Sequence, residues 1–376
     1  MNAWQYFSYS SISKFAFLAM LIPSILPTDA RATETIDQSF WDFNKFYQND
    51  NGDYVHGIGR IHVDSVRVDS KEYGHFQDFY WRRFRFGLES RFDDITYTLD
   101  ADFNLNNDYG DTFRRIADAN VSFLLDSGAR VKVFKQAVPF TLEGKTSSRT
   151  LLTPERSNLA NNLWFVGDYF NGVTVTNTLE NNWHYFAGAY LGELVKGISF
   201  DTSTLFGLFS IGRTYDANQY WDNALFSIDV LVNDKNPFEG NDAFSQVTSF
   251  STKFERDSWG IWTDIGFGKG HKEQSDIWGY ELMPYYTLND KFQYVMRFTY
   301  IHSSDPHGIR QGRYDSELTQ GRGDRYSEIY GGVNWYFNRH KLKLQLGLQY
   351  ADMSDKTNQG GNFSGVALTT AFRLYW

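Results

Sequence analysis

The feature that most constrains this chain is a two-residue alternation that recurs along it. In residues 341–350, Leu342, Leu344, Leu346, Leu348 and Tyr350 fall on one parity, and Lys341, Lys343, Gln345, Gly347 and Gln349 on the other. Phe292, Tyr294, Met296, Phe298 and Tyr300 oppose Lys291, Gln293, Arg297 and Thr299 in the same way. Phe84, Phe86, Leu88 and Phe92 oppose Arg83, Arg85, Glu89 and Arg91. Successive side chains of a strand point to opposite faces, so each segment reads as a two-faced strand. A soluble sandwich produces the pattern with its apolar face inward. A membrane barrel produces it with that face toward lipid. Composition favours the barrel. Aromatic residues make up 18% of the chain, while all hydrophobic residues reach only 41%. A barrel places many Phe, Tyr and Trp in its lipid-facing girdles.

The pattern predicts sixteen strands, near 54–66, 81–92, 94–104, 113–126, 129–137, 167–179, 182–191, 203–214, 222–232, 244–256, 258–268, 277–289, 290–302, 324–337, 341–351 and 363–376. An even count is usual for single-chain bacterial barrels. Connections alternate between short turns, such as Asp93-Asp94 and Asn289-Asp290, and longer ones at 67–80, 105–112, 138–166, 192–202, 233–243, 269–276, 303–323 and 352–362. Barrels have short turns at the periplasmic end and long loops outside. The last strand puts Val366, Leu368, Phe372, Leu374 and Trp376 on one parity. Its terminal aromatic resembles the signature read by the outer-membrane barrel assembly machinery. The expected fold is therefore an all-β, transmembrane antiparallel barrel of about sixteen strands, with the long third loop folded into the lumen.

Residues 1–32 read as an export signal. Lys14 precedes an apolar run from Phe15 to Leu26, and Ala30-Arg31-Ala32 supplies an A-x-A cleavage site. The run is too short for a spanning helix of roughly 20 residues. Residues 33–53 are either a periplasmic segment or the start of a first strand, and 54–376 form the barrel domain. Zero Cys excludes disulfide scaffolds and Cys nucleophiles. A formal charge of −9 gives no support to nucleic-acid binding. Eight scattered His form no recognisable Ser/His/Asp set, and His302, Asp305 and His307 read better as a solvated loop than as metal ligands. No cofactor and no enzymatic step are expected, with an outer-membrane barrel hydrolase as the alternative of another class.

The longest connection, 138–166, carries Phe140, Leu142, Leu151, Leu152 and Trp164 as apolar anchors alongside Lys145, Arg149 and Arg156. Loops longer than about 12–15 residues are usually functional or disordered, and the anchors argue against disorder. Phe134-Lys135, Pro139-Phe140, Leu142-Glu143, Thr146-Ser-Ser-Arg149 and Glu155-Arg156-Ser157 resemble the third-loop motif of the phosphate-selective porins O and P. Arg82-Arg83-Phe84-Arg85-Phe86-Gly87-Leu88-Glu89 and Asp118-Ala-Asn-Val-Ser122 resemble two further stretches of that family. The resemblance implies a Gram-negative outer-membrane porin, surrounded by lipid and assembled as a homotrimer. It also implies that the segment of Lys135, Arg149 and Arg156 lies at a constriction. Luminal Arg and Lys favour anions, so Lys135, Lys145, Arg149, Arg156, Arg83, Arg85 and Lys132 are the candidate site residues. The expected function is passive diffusion of small anionic solutes, phosphate or related oxyanions. A general diffusion porin without ion preference is the alternative. Glu143 and Glu155 are the expected partners of Arg149 and Arg156 if those cations serve only to hold the loop.

Overall fold

The computed structural model describes residues 41–376 except 107–109, 164–168, 193–195, 199, 201–204 and 234–243. The export signal and Trp164 lie outside the described residues. A short strand, β1 (Lys45–Gln48), precedes sixteen long ones: β2 (Tyr54–Ser70), β3 (Gly74–Phe92), β4 (Ile95–Phe103), β5 (Phe113–Leu124), β6 (Arg130–Ala137), β7 (Tyr169–Thr178), β8 (Trp183–Leu191), β9 (Leu205–Tyr215), β10 (Asn223–Asn233), β11 (Phe244–Arg256), β12 (Trp259–Gly270), β13 (Ile277–Thr287), β14 (Phe292–Ser303), β15 (Arg325–Asn338), β16 (Leu342–Ser354) and β17 (Phe363–Tyr375). From β2 onward each strand pairs antiparallel with the next. β17 then pairs with β2, from Tyr375 opposite Arg60 to Gly365 opposite Ser70, and closes the sheet. Closure leaves no free edge, as lipid requires.

The two faces are inverted relative to a soluble protein. Arg85, Arg297, Arg373, Lys135 and Lys343 are among the largest fully buried side chains. Leu346, Leu348, Tyr350, Val366 and Leu368 are exposed. Their parity is the lipid-facing one expected from the sequence, and the sandwich reading is excluded. All sixteen expected strands are present. Several two-sided turns follow from their sequence: Asp93, Asn182 and Asp257 adopt φ values of 50°, 62° and 52°, which tight hairpins require and Asn and Asp tolerate.

Two expectations need correction, and one segment left open is described in part. The connection expected over 67–80 is a tight turn at 71–73, because β2 and β3 extend until Ser70 faces Gly74. Of residues 33–53, read from sequence in two ways, the described part from 41 onward holds the separate short strand β1. β1 adds beside the start of β2, with Lys45 opposite His56 and Gln48 opposite Tyr54. There Phe43 packs on Trp376, which also packs on Phe86. Finally, the alternation in β3 is broken. Arg83 faces His62 but Trp81 faces Val63, so Arg82 is the extra residue of a β-bulge. A bulge re-aims side chains, and here Arg82 and Arg83 are both buried.

The register predicts that Leu346→Arg damages assembly, since Arg on the lipid face near the midplane costs about 2–4 kcal/mol. Lys132→Gln, a change on the inner face, should leave heat-modifiable electrophoretic migration intact. Equal folded fractions for the two variants would show the register of β16 to be wrong.

Candidate functional site: the inserted loop and the luminal charges

The connection between β6 and β7 contains two short helices, α1 (Leu142–Lys145) and α2 (Asn158–Leu163). Thr141 caps α1, its Oγ1 accepting from Gly144 N at 3.1 Å. Phe140, Leu142, Leu151, Leu152, Leu159 and Leu163 are all buried. Leu159 and Leu163 press on the inner wall where it carries glycine. A Cβ at Gly266 would stand 2.2 Å from Leu163 Cδ1, and one at Gly279 would stand 2.8 Å from Leu159 Cδ1. Gly266 and Gly268, near the end of β12, thus make room for α2.

Irregular backbone inside a barrel must still satisfy its polar groups. The wall does this with two opposite sets of side chains. On one side, acidic residues accept from the loop: Asp229 from Thr141 N at 3.1 Å, Asp264 from Leu142 N at 2.8 Å, and Glu281 from Ser157 Oγ at 2.6 Å. On the other, cations and amides donate to loop carbonyls. Arg297 donates to Glu155 O at 2.8 Å, Lys343 to Leu151 O at 2.6 Å, Arg373 to Pro154 O at 3.1 Å and Asn334 to Leu152 O at 2.9 Å. Arg297 also pairs with Glu328 at 2.8 Å, and Arg373 pairs with Asp64.

Each candidate residue can now be placed. Lys145 pairs with Asp229 and donates to Ser227 Oγ at 2.7 Å and Ser210 Oγ at 3.1 Å. Arg156 serves the loop's own backbone, donating to Glu143 O at 2.7 Å and Thr146 O at 2.8 Å. Glu155 pairs with Arg82 and, at 3.5 Å, with Arg313, and Glu143 accepts from Ser157 N. Neither carboxylate pairs with Arg149, and Arg156 takes the Glu143 carbonyl rather than its carboxylate. Arg149 lies over the Tyr375 ring, 5.3 Å from its centroid. Arg85 is neutralised by Asp102 at 3.3 Å and also donates to Tyr169 Oη. Arg83 is buried and forms no ion pair or hydrogen bond among the described residues. Lys132 stands on the inner face, between buried Ser122 and Thr174.

Lys135 departs from the expectation. It shares the parity of Val131 and Val133, and its neighbour across the ladder is Ala119, in the outward row of Leu99 and Leu88. Its ammonium donates to Gly197 O at 2.6 Å, beside Ile198, which lies near Leu88, Leu99 and Val121. Lys135 is thus taken up by the connection after β8, next to Phe134, whose φ of 77° breaks the alternation of β6.

Two cavities flank the inserted loop. One, of about 580 Å³, is lined by Arg130, Lys145, His184, Ser210 and Ser227 on the β5–β10 side. The other, of about 400 Å³, lies between α2 and the β14–β15 connection. That second connection, missed as an inward element, also turns into the barrel. Its Tyr314 donates to Asp64 Oδ2 at 3.0 Å, and its Arg310 N–H donates to Asn162 Oδ1 at 2.9 Å. The sequence signal was available in the apolar Ile309 and Tyr314, both buried.

The closed barrel agrees with the comparisons. Residues 55–208 match the family model of phosphate-selective porin O and P. Over this segment the chain is similar to that family. With the closed barrel, the match points to an outer-membrane porin of Gram-negative type, and the fold is that of the channels it resembles. It is similar to the anion-selective porin from Comamonas acidovorans, with a TM-score of 0.60 and 11% identity over 86% of this chain and 100% of the other. It is also similar to the outer-membrane channel DcaP of Acinetobacter baumannii (TM-score 0.55, 12% identity, 87% and 99% covered) and to a loop-deletion mutant of OmpT from Vibrio cholerae (TM-score 0.60, 12% identity, 86% and 99% covered). No curated protein sequence matches the chain.

Two predictions follow from the anchoring. Glu155→Gln removes the anionic partner of buried Arg82; breaking such a pair costs about 3–5 kcal/mol. The loop should loosen, and bilayer recordings should show larger and noisier conductance. The second concerns Asp315, in the 3-10 turn Asp315–Glu317 of the β14–β15 connection. Burial, with the Glu328 charge beside it, pushes its carboxyl up to about 7. A carboxyl raised in the folded protein costs stability progressively from about pH 4 up to that value. Asp315→Asn should slow hydrogen exchange of residues 304–324 relative to wild type at pH 8. At pH 4, where both side chains are neutral, the two proteins should exchange alike.

Proposed function

We propose that this porin passes small anions in preference to cations, phosphate or related oxyanions being the natural class. The observation that carries the reading is a group of cations without ion partners on β6 and the inserted loop, while among the acids without one, Asp264 and Glu281 are taken up by bonds to the loop. Asp229, Glu155, Glu328 and Asp64 are each committed to a cation. By contrast, Arg130, Lys132 and Arg149 enter no ion pair among the described residues. Asp118, on the same face as Lys132, offsets only one of the three. Anions inside a narrow passage respond to such nearby charges.

The inserted loop fills the half of the lumen lined by β11–β17, and the passage runs along the β4–β10 wall past Lys132, Arg130 and Lys145. Size exclusion comes from the loop, and preference comes from these cations. Arg83 and Arg85 support the bulged strand beside the loop. The family description and the anion-selective neighbour support this choice of solute. The same reading includes removal of residues 1–32 on export, insertion through the terminal Trp376 strand by the barrel assembly machinery, and assembly as a trimer.

Reversal potentials in a salt gradient test the preference. Lys132→Gln and Arg149→Gln should each lower the anion/cation permeability ratio, and Lys135→Gln should leave it unchanged. Cation selectivity in the wild type, unaltered by the first two substitutions, would remove the anion filter and leave a general porin.

A further inference from the structure

The larger cavity beside the inserted loop, of about 580 Å³, carries apolar side chains that anion passage alone does not require. It lies at the short-turn end of the barrel, near the turns at 125–129, 179–182 and 216–222. The lumen of a membrane barrel is ordinarily polar. Here Leu124, Phe186 and Leu225 occupy inward positions of β5, β8 and β10. The ladder register shows this. Leu124 faces Arg130, Arg130 faces Thr176, Thr176 faces Phe186, Phe186 faces Ser210 and Ser210 faces Asp229, so the six form one row across neighbouring strands. Leu225 shares the parity of Ser227 and Asp229. Pro139, where the chain leaves β6 for the loop, lines the same cavity.

Leu124, Phe186 and Leu225 are half-buried, whereas the residues that seat the loop, such as Phe140 and Leu163, are fully buried. Apolar surface left open beside a few polar groups is the usual make-up of a small-molecule site, and the volume falls within the roughly 300–1,000 Å³ of such sites. Arg130 supplies the charge. Among the described residues its guanidinium donates to Ser122 Oγ at 3.2 Å and enters no ion pair. Lys145, the other cation of the cavity, is matched by Asp229. The unmatched cation thus has Leu124 beside it and Phe186 two strands away, about 10 Å across the ladder at the usual strand spacing. A carboxylate on Arg130 brings an attached ring or short alkyl chain within reach of Phe186 and Leu225. Inorganic phosphate uses the charge and leaves the apolar side chains in water.

We propose that this cavity is a subsite for organic carboxylates with an apolar body, the carboxylate on Arg130 and the body along Phe186 and Leu225. It ranks such solutes above hydrophilic anions of the same charge. The proposal deepens the anion reading of the β4–β10 passage and rests on it for the sign of the solute, while the apolar side chains are a separate determinant.

The experiment adds benzoate, benzamide, gluconate or inorganic phosphate to the short-turn side of oriented channels in a planar bilayer and reads block of the chloride current. Benzoate should block at about tenfold lower concentration than gluconate, which has the charge without the apolar body, and than benzamide, which has the ring without the charge. Leu225→Ser should raise the half-blocking concentration of benzoate about fivefold, the effect of losing one apolar contact with the ring, with gluconate and phosphate changed less than about twofold. Arg130→Gln should weaken block by benzoate, gluconate and phosphate together. Heat-modifiable migration checks that the variants are folded. Equal block by benzoate and gluconate in the wild type would overturn the proposal without any variant, as would equal block by benzoate and benzamide. So would unchanged benzoate block in either variant, or a parallel loss of benzoate and gluconate block in Leu225→Ser. Reversal potentials from the same channels in a potassium chloride gradient report the anion preference separately, so failure of one reading is distinguishable from failure of the other.

Discussion

The structure depends on how the barrel wall satisfies a stretch of irregular backbone inside its lumen. A buried carbonyl or N–H without a partner costs on the order of 1–3 kcal/mol, and the segment from Thr141 to Ser157 presents many of both. The wall answers with acceptors along β10–β13 and donors along β14–β17. Asp229 and Asp264 accept N–H groups at the start of the segment. Arg297, Lys343 and Arg373 donate to carbonyls further on. The charges that look most like a selectivity ring in the sequence are therefore largely fastening. A lipid-facing barrel has no apolar core with which to hold a plug. Charged side chains from the polar face take over that role, supported by the Leu159 and Leu163 contacts with a glycine-bearing wall.

The same constraint explains the inversion of burial. Lipid requires an apolar exterior and a closed ladder, so the alternating face left over must be polar. Polar side chains in a wide channel would be solvated. Here the inserted loop covers many of them, and Arg85, Arg297 and Arg373 become fully buried. Their burial is sustained by Asp102, Glu328 and Asp64. Removing a single partner leaves an uncompensated charge, which is why loop position and wall charge form one mechanical unit.

The strands were legible because alternation is a local property. Leu342 to Tyr350 announces its two faces without reference to any other strand. What depended on partners was not legible. The Arg82 bulge exists only in the register between β2 and β3. The length of β2 and β3 past Ser70 depends on mutual pairing, since His75, Gln77 and Asp69 show no clear apolar row. Lys135 is the instructive case. Its parity with Val131 and Val133 already assigned it to the outer face, while the family-like motif suggested the channel. Neither guide is sufficient alone, because Phe134 adopts a φ of 77° and breaks the period, and the structure ties the Lys135 ammonium to Gly197 O. Gly266 and Gly268 carried a signal too: glycine on the inner parity of a strand marks room for something that enters.

Ion preference in such a chain cannot be judged from its total charge. The formal charge is −9, yet carboxylates differ in what they contribute to the passage. Glu155 shows this. Burial opposes its ionisation, but Arg82 and Arg313 outweigh burial and hold its carboxyl well below the usual range. It stays charged and is cancelled locally by the groups that keep it so. Exposed acids such as Asp257 and Asp290 lie at strand ends, where fields fade over roughly 8 Å at physiological ionic strength. The charges an entering solute meets are those left unpaired on the inner wall. With the loop's own fastening drawing on the acids and on many of the cations, that remainder is small. A few residues such as Lys132 and Arg149 then set its sign.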